Sequence, residues 1–256
     1  MNITRDKEMH MFSFSITAKA ITASFRVPET HTFHQTLPLP PKTAIIGMIG
    51  AALGKRLDEA HKFVEHNNIL FSVYGTHEGI MKDLWNYRKL TGKEKNYTPE
   101  DIKNRMQYSI LIREYLYSND FIFFFASENP ESLRQLQKTF SCPVYALTAG
   151  NSDDLLKICK ISEINEVKSE KILRFENTLI PGDLSKSCKY GIDLKQTSIT
   201  QTLYTPQVFL LPTKFEFIGD ERRVIERKLF TFISTPVNLS MPIDGYNLDG
   251  KAVVLQ

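Results

Sequence analysis

Cysteine is scarce in this chain: three residues in 256, at Cys142, Cys159 and Cys188. They form no C-x-x-C pair and are too few for a disulfide framework, so neither a zinc cage nor a stapled scaffold is expected. A reducing cytoplasm fits that usage. No apolar run is long enough to span a bilayer. The opening decapeptide, MNITRDKEMH, is charged and leads into alternating residues, unlike a signal peptide. A strong charge imbalance is missing as well. Thirty-two Lys plus Arg against 29 Asp plus Glu leave a formal +3, which permits an anionic partner without requiring one. Local clustering must carry that argument.

A phosphate-binding loop is also absent. In PLPPKTAIIGMIGAALGKR, Pro38 to Arg56, three residues rather than four separate Gly50 from Gly54, and Arg56 stands where a P-loop needs Ser or Thr. ATP or GTP hydrolysis through Gly54-Lys55 is therefore not expected. The stretch reads instead as a helix from about Thr43 to Leu57, with Thr43 as N-cap and apolar bulk from Ile45, Ile46, Met48, Ile49 and Leu53. Gly47, Gly50 and Gly54 recur on one side of it. A helical glycine costs about 1 kcal/mol against alanine, so a small face implies either tight core packing or close approach by another backbone, protein or nucleic acid.

What is present is a sequence of alternating and apolar segments. Met11 to Ala20 alternates as a strand with one wet face; Ile69 to Gly75 reads as a second strand and Asp120 to Ser127 as a third, apolar enough to be covered on both sides. Asn129, Pro130 and the spacing of Leu133, Leu136 and Phe140 predict a capped helix, and Cys142 to Thr148 reads as a fourth strand. Strand, helix, strand, strand, helix, strand is the ferredoxin-like order, shared by RNA-recognition domains. The expected class is α+β: a ferredoxin-like (RRM-like) domain over residues 1–150 and a smaller β-rich C-terminal module over 151–256. No repeat or low-complexity tract is found; a second, degenerate ferredoxin-like unit stays open.

Residues 79–117 interrupt strands two and three, where a short hairpin would suffice. This insertion carries eight basic and five acidic side chains, the whole chain's excess, interleaved with the single tryptophan, Trp85, and with Tyr87, Tyr97, Tyr108, Tyr115 and Tyr117. Cations neutralise phosphates and rings stack on unpaired bases, a mixture suited to single-stranded nucleic acid. A protruding, thumb-like hairpin is expected. The same composition also suits a solvated hairpin whose rings pack on the body.

The run from Ile21 to Gly54, with its Arg-containing loop and Pro-Pro-x-Thr element before a glycine-bearing helix, resembles the CRISPR-associated Cas family-five proteins of the RAMP superfamily. IREYLYSNDFIFFFAS resembles the family's approach to an apolar strand, and CPVYALTAGNSDDL its turn after the fourth strand. Together these cover about the first 155 residues. The resemblance implies a cytoplasmic, non-catalytic subunit of a type I Cascade complex in antiviral defence, with subtype I-B the first choice and I-A an alternative. It would cap the 5′ handle of the crRNA, contact the backbone and large subunits, and meet target DNA only through the complex, with no cofactor, metal or membrane. It implies that Arg26, Lys42 and Thr43 meet handle phosphates, that Asn151 and Ser152 bond a handle base or ribose, and that Trp85, Tyr87, Arg88, Arg105 and Arg113 serve the thumb. One branch of the family cleaves repeat RNA without metal. For that alternative, an endoribonuclease, His31 and His34 are the candidate bases. The branch's adjacent Lys-His pair is missing after the thumb, which argues against it.

Overall fold

The computed structural model describes residues 10–30, 32–90, 97–194, 203–219 and 221–256. Strand β1 (Met11–Ala23) opens the chain, followed by a two-residue β2 (Phe33–His34), helices α1 (Lys42–Leu53) and α2 (Leu57–His66), and strand β3 (Leu70–Thr76). A hairpin follows: β4 (Gly79–Leu90), a short α3 (Pro99–Arg105) and a 22-residue β5 (Met106–Ser127). Helix α4 (Pro130–Ser141) then leads to β6 (Lys157–Ile161).

Strands β3, β5, β1 and β6 lie side by side in that order, every neighbouring pair antiparallel. That is the ferredoxin-like arrangement, so the fold is α+β as the element order predicts. Its core forms where helix faces meet the sheet. Ile45, Ile46 and Ile49 of α1 and Leu133, Leu136 and Phe140 of α4 pack with Phe14, Ile16, Phe121, Phe123 and Phe125 from the central strands. On the opposite side Phe124 is buried against Leu248 and Val253, which is why β5 is apolar on both faces.

Two sequence expectations need correction. Helix α1 starts at Lys42, one residue before the expected cap; Pro41 occupies the N-cap and no side chain bonds there. The fourth strand is β6, whereas Cys142–Thr148 forms a loop. Pro143 has no N–H, and the amides of Val144 and Tyr145 donate to the carbonyls of Ala52 and Ala51 at 3.0 and 3.1 Å, satisfying the open end of α1.

The remaining chain is strand-rich: β7 (Asn165–Val167), β8 (Glu170–Phe175), β9 (Thr178–Pro181), a short α5 (Leu184–Ser187), β10 (Tyr190–Ile192), β11 (Gln207–Ile218), β12 (Glu221–Ile233), β13 (Val237–Leu248) and β14 (Lys251–Val253). Strands β9, β12 and β11 extend the first sheet beyond β3, giving it ten strands, while β8, β10, β13 and β14 form a second sheet. The two segments expected as separate units thus contribute to one sheet. The junction is narrow: Tyr74 faces Thr178, whose hydroxyl donates to the Val73 carbonyl at 2.8 Å.

Candidate nucleic-acid interface

Strands β3 and β4 together run along one side of β5 in a single register: Leu70 lies opposite Ala126 and Leu90 opposite Met106. The half nearest Ser127 is embedded in the sheet. The other half carries the insertion outward, with α3 toward its end. Thr98 caps α3 by accepting from the Asp101 amide at 3.2 Å, and Asp101 reaches back to the Thr98 amide at 3.1 Å. Residues 91–96, with Lys93 and Lys95, lie outside the described residues.

Alternation sorts the hairpin into two faces. One carries Asp83, Trp85 and Tyr87 on β4 with Leu111, Arg113 and Tyr115 on β5; the other carries Lys82, Leu84 and Arg88 with Tyr108, Ile110 and Ile112. Trp85, Tyr87, Tyr108, Leu84 and Ile110 are all exposed. The Arg88 guanidinium lies 5.5 Å from the Tyr108 ring centre, leaving both at the surface as a cation–ring pair. Arg105 faces Asp101 at 3.5 Å, one helical turn away, and so steadies α3.

Arg113, expected to serve the thumb, lies covered at its root. It is only 4% exposed, its guanidinium 3.9 Å from the Trp85 ring centre and 4.1 Å from that of Tyr115. It donates to the Tyr115 hydroxyl and, at 2.9 Å, to Asp153. The reason is position: Arg113 falls at the hairpin's root, between β4 and β2, where a side chain is covered. The bond from Arg113 holds the Asp153 carboxyl below the usual carboxylate range, and burial pushes the Tyr115 phenol up.

Asp153 belongs to the turn that carries Asn151 and Ser152. Gly150, at φ +107°, comes so close to β1 that a Cβ there would lie 1.9 Å from the Ser24 carbonyl oxygen. Thr22 donates to the buried Asp154 at 2.6 Å, and Asn151 bonds Asp154 at 3.4 Å. Ser152 is exposed. Hairpin and turn, which sequence reasoning treats separately, are therefore joined by Arg113 and Asp153.

The loop of Arg26 meets the same root. Glu114 accepts from the Thr36 amide at 3.3 Å, and the Ser24 hydroxyl donates to the Glu114 carbonyl at 3.0 Å. Arg26 is exposed, its guanidinium donating to the Thr30 carbonyl at 3.0 and 2.6 Å. His34 sits in β2, in register with Arg113; His31 lies outside the described residues. Lys42 and Thr43 are not in this assembly. Lys42 packs over the Phe71 ring at 5.4 Å, in a cleft beside β12, and Thr43 is half-buried behind it in α1. Sequence reasoning missed Asp153 and the supporting role of Tyr115. Both lie inside motifs quoted above, and the signal available was their adjacency to Ser152 and Glu114.

The protein is thus an α+β, ferredoxin-like domain extended by a cationic and aromatic hairpin rooted on two loops. The chain belongs to the CRISPR-associated Cas5 family: the family model described as CRISPR-associated protein (Cas_Cas5) matches residues 19–177. No curated protein matches the chain. Among solved structures it is similar to a chain titled CRISPR RNA-guided surveillance complex, with 14% identity, TM-score 0.49, and 89% of this chain and 91% of that one covered. It is also similar to a CRISPR protein from Archaeoglobus fulgidus, with 10% identity, TM-score 0.46 and coverage of 95% and 98%. A chain of the type III-B Cmr-beta complex bound to cognate target RNA matches at 14% identity and TM-score 0.43, covering 62% of each. Among the described residues no helix is long and apolar enough to cross a membrane.

Proposed function

We propose that this protein is a non-catalytic subunit of a type I CRISPR surveillance complex, where it holds the 5′ handle of the guide RNA and contacts the neighbouring backbone and large subunits. The observation that carries this reading is the outer hairpin. Trp85, Tyr87, Tyr108 and Arg88 stand exposed on a two-stranded arm whose root is fixed by Arg113 and Asp153. A rigid root with exposed rings and cations suits an unpaired strand, since stacking adds roughly 1–3 kcal/mol per base and each neutralised phosphate adds a salt-dependent increment. Arg26, Asn151 and Ser152 flank that root; Arg26 is assigned to a handle phosphate, and Asn151 and Ser152 to a handle base or its ribose. Membership of the Cas5 family supports the partners.

The test is handle-RNA binding by the wild type and by a Trp85→Ala, Arg88→Ala double variant, with repeat RNA incubated alongside to detect cleavage. Expected are intact RNA, affinity that falls steeply with salt, and about tenfold or greater weakening in the variant, which still melts cooperatively at a temperature lowered only by loss of the Trp85–Arg113 stack. Equal affinity of the two proteins for handle RNA, or cleavage that persists in chelator and disappears in His34→Ala, overturns the reading.

A further inference from the structure

A groove of about 960 Å³ lies between the end of α4, the loop that follows it, and strands β1, β5 and β6. It shares no lining residue with the cleft at the hairpin root, yet the two abut: Thr22 of the cleft follows Ile21 of the groove, and Leu155 of the groove follows Asp154 of the cleft.

Its open side is apolar. Ile21, Leu155 and Tyr117 are 78%, 63% and 41% exposed, beside Pro143, Ala146 and Ile158. Ile21 is the most exposed large apolar side chain among the described residues. That exposure coincides with a break in the ladder: β1 and β5 pair Ala20 with Asn119 and Thr22 with Tyr117 but leave out Ile21 and Ser118, and Ser118 holds φ +54° within its strand. A left-handed serine inside a strand is strained and persists only where its surroundings impose it. One exposed isoleucine is ordinary, whereas three large apolar side chains lining one groove mark a surface that another molecule covers.

Charge says which kind of molecule. The charged side chains of the groove are Lys19, Asp120, Lys157 and Lys160. Lys19 and Asp120 pair at 2.9 Å, while Lys157 and Lys160 have no carboxylate within ion-pair distance among the described residues. Free ammonium groups beside an apolar floor complement apolar side chains flanked by carboxylates. Ile21 and Leu155 offer no ring on which a base could stack, so a nucleic acid would cover them without gain. A second copy of the chain would set lysines against lysines, because a two-fold contact opposes one patch to itself. Addition of a strand to β6 is disfavoured as well: β6 has five residues, carries both lysines and shifts register against β1, the features that guard a sheet edge. The occupant therefore enters by its side chains.

We infer that this groove seats a partner protein through a segment whose aliphatic or aromatic side chains fill it while flanking carboxylates meet Lys157 and Lys160. That the partner is a neighbouring subunit of the surveillance complex rests on the function proposed above.

The tagged full chain is co-expressed with the proteins encoded beside its gene and a guide RNA, and subunit stoichiometry of the purified complex is measured by quantitative mass spectrometry. Wild type is compared with Ile21→Asp and with a Lys157→Glu, Lys160→Glu double variant. Both variants are expected to retain at least about tenfold less of one and the same protein subunit, and as isolated chains to melt like wild type, because every substituted side chain is exposed. Leu155→benzoylphenylalanine, photolysed in the complex, should cross-link to that subunit at a peptide with Asp or Glu beside apolar residues. This second measurement holds even if a charged variant folds poorly. Unchanged stoichiometry in either variant overturns the inference, as does a wild-type chain that recovers no protein. Cross-linking to RNA, to another copy of this chain, or to a peptide without Asp or Glu overturns it equally. Handle-RNA binding by the isolated wild type is measured alongside. Its absence with the subunit loss and cross-link intact would remove the guide-holding role and leave the docking surface standing, so the two failures are distinguishable.

Discussion

At the scale of single residues, Arg113 shows how a charge that sequence assigns to a ligand is used by the fold. Its guanidinium stacks on two rings and bonds Asp153, so the inner side of Trp85 is filled and the ring is held for whatever approaches from outside. Arg113→Ala leaves the Asp153 and Tyr115 bonds unmade; with Asp153 itself half exposed, the expected loss is about 2 kcal/mol in urea unfolding. Arg113→Lys should recover little of this, because an ammonium neither stacks flat nor forks. The pair also carries a pH signature. Asp153 is held below its ordinary range by Arg113, so its stabilisation is complete above the ordinary carboxylate range and fades as pH falls through the depressed folded value. Asp153→Asn should remove that part of the acid limb from a pH series of unfolding free energies, whereas an unchanged limb would show that the carboxylate is not coupled to the fold. Sequence could not reveal this use of Arg113, since spacing shows charge and leaves burial hidden.

At the scale of elements, the glycine-bearing helix resolves an ambiguity that composition left open. A Cβ at Gly50 would lie 2.9 Å from the Ala60 side chain of α2, and Gly54, at φ +67°, ends α1 under Val144. Both are explained by packing within the chain. At Gly47 nothing lies within 4 Å. Gly47→Ala is therefore expected to stabilise by up to about 1 kcal/mol through helix propensity, while Gly50→Ala destabilises and Gly54→Ala loses about 1–2 kcal/mol to left-handed strain. Thermal melts of the three variants check the order. A destabilising Gly47→Ala would mean that the face is needed inside the protein after all. The elements legible beforehand were those whose pattern and burial agree: the apolar half of β5, and α4, where Asn129 accepts from the Glu131 amide at 3.0 Å as its sequence predicts. Strand β1 lies where its alternation predicts, but the expected wet face is partly covered: Ser13 and Ser15 are buried, and the Ser15 hydroxyl donates to Asp249 at 2.5 Å. The fourth strand was misplaced because Cys142–Thr148 has strand composition but its amides serve the end of α1. Strand β11 runs unbroken from Gln207 to Ile218 through Pro212, with a register shift at Pro212 to Phe215. Proline breaks a pattern without ending a strand.

At the scale of the whole molecule, one ten-stranded sheet carries two arms, the β4–β5 hairpin and the β11–β12 hairpin. The first was legible as an insertion because its composition departs from its surroundings. The second was not, because its lysines are scattered among strand residues and only packing against α2, through Phe215 and Phe217 on His61, gathers them. If the first arm acts as a nucleic-acid grip added to a self-sufficient body, then shortening it should remove binding and spare folding. Leu84 and Ile112 lie directly opposite each other, so an Asn-Gly turn joining them closes the ladder while deleting residues 85–111. That variant keeps the described core of the ferredoxin-like sheet, whose clustered residues come from β1, β3, the embedded half of β5 and the helices. It is expected to melt cooperatively and to bind handle RNA weakly. The slope of log affinity against log salt should be shallower by roughly 0.7 for each lost phosphate contact. A shallower slope separates a lost grip from general damage, which would weaken binding at every salt concentration alike. An unaltered slope and affinity would place the guide elsewhere on the body and leave the arm as a surface for protein.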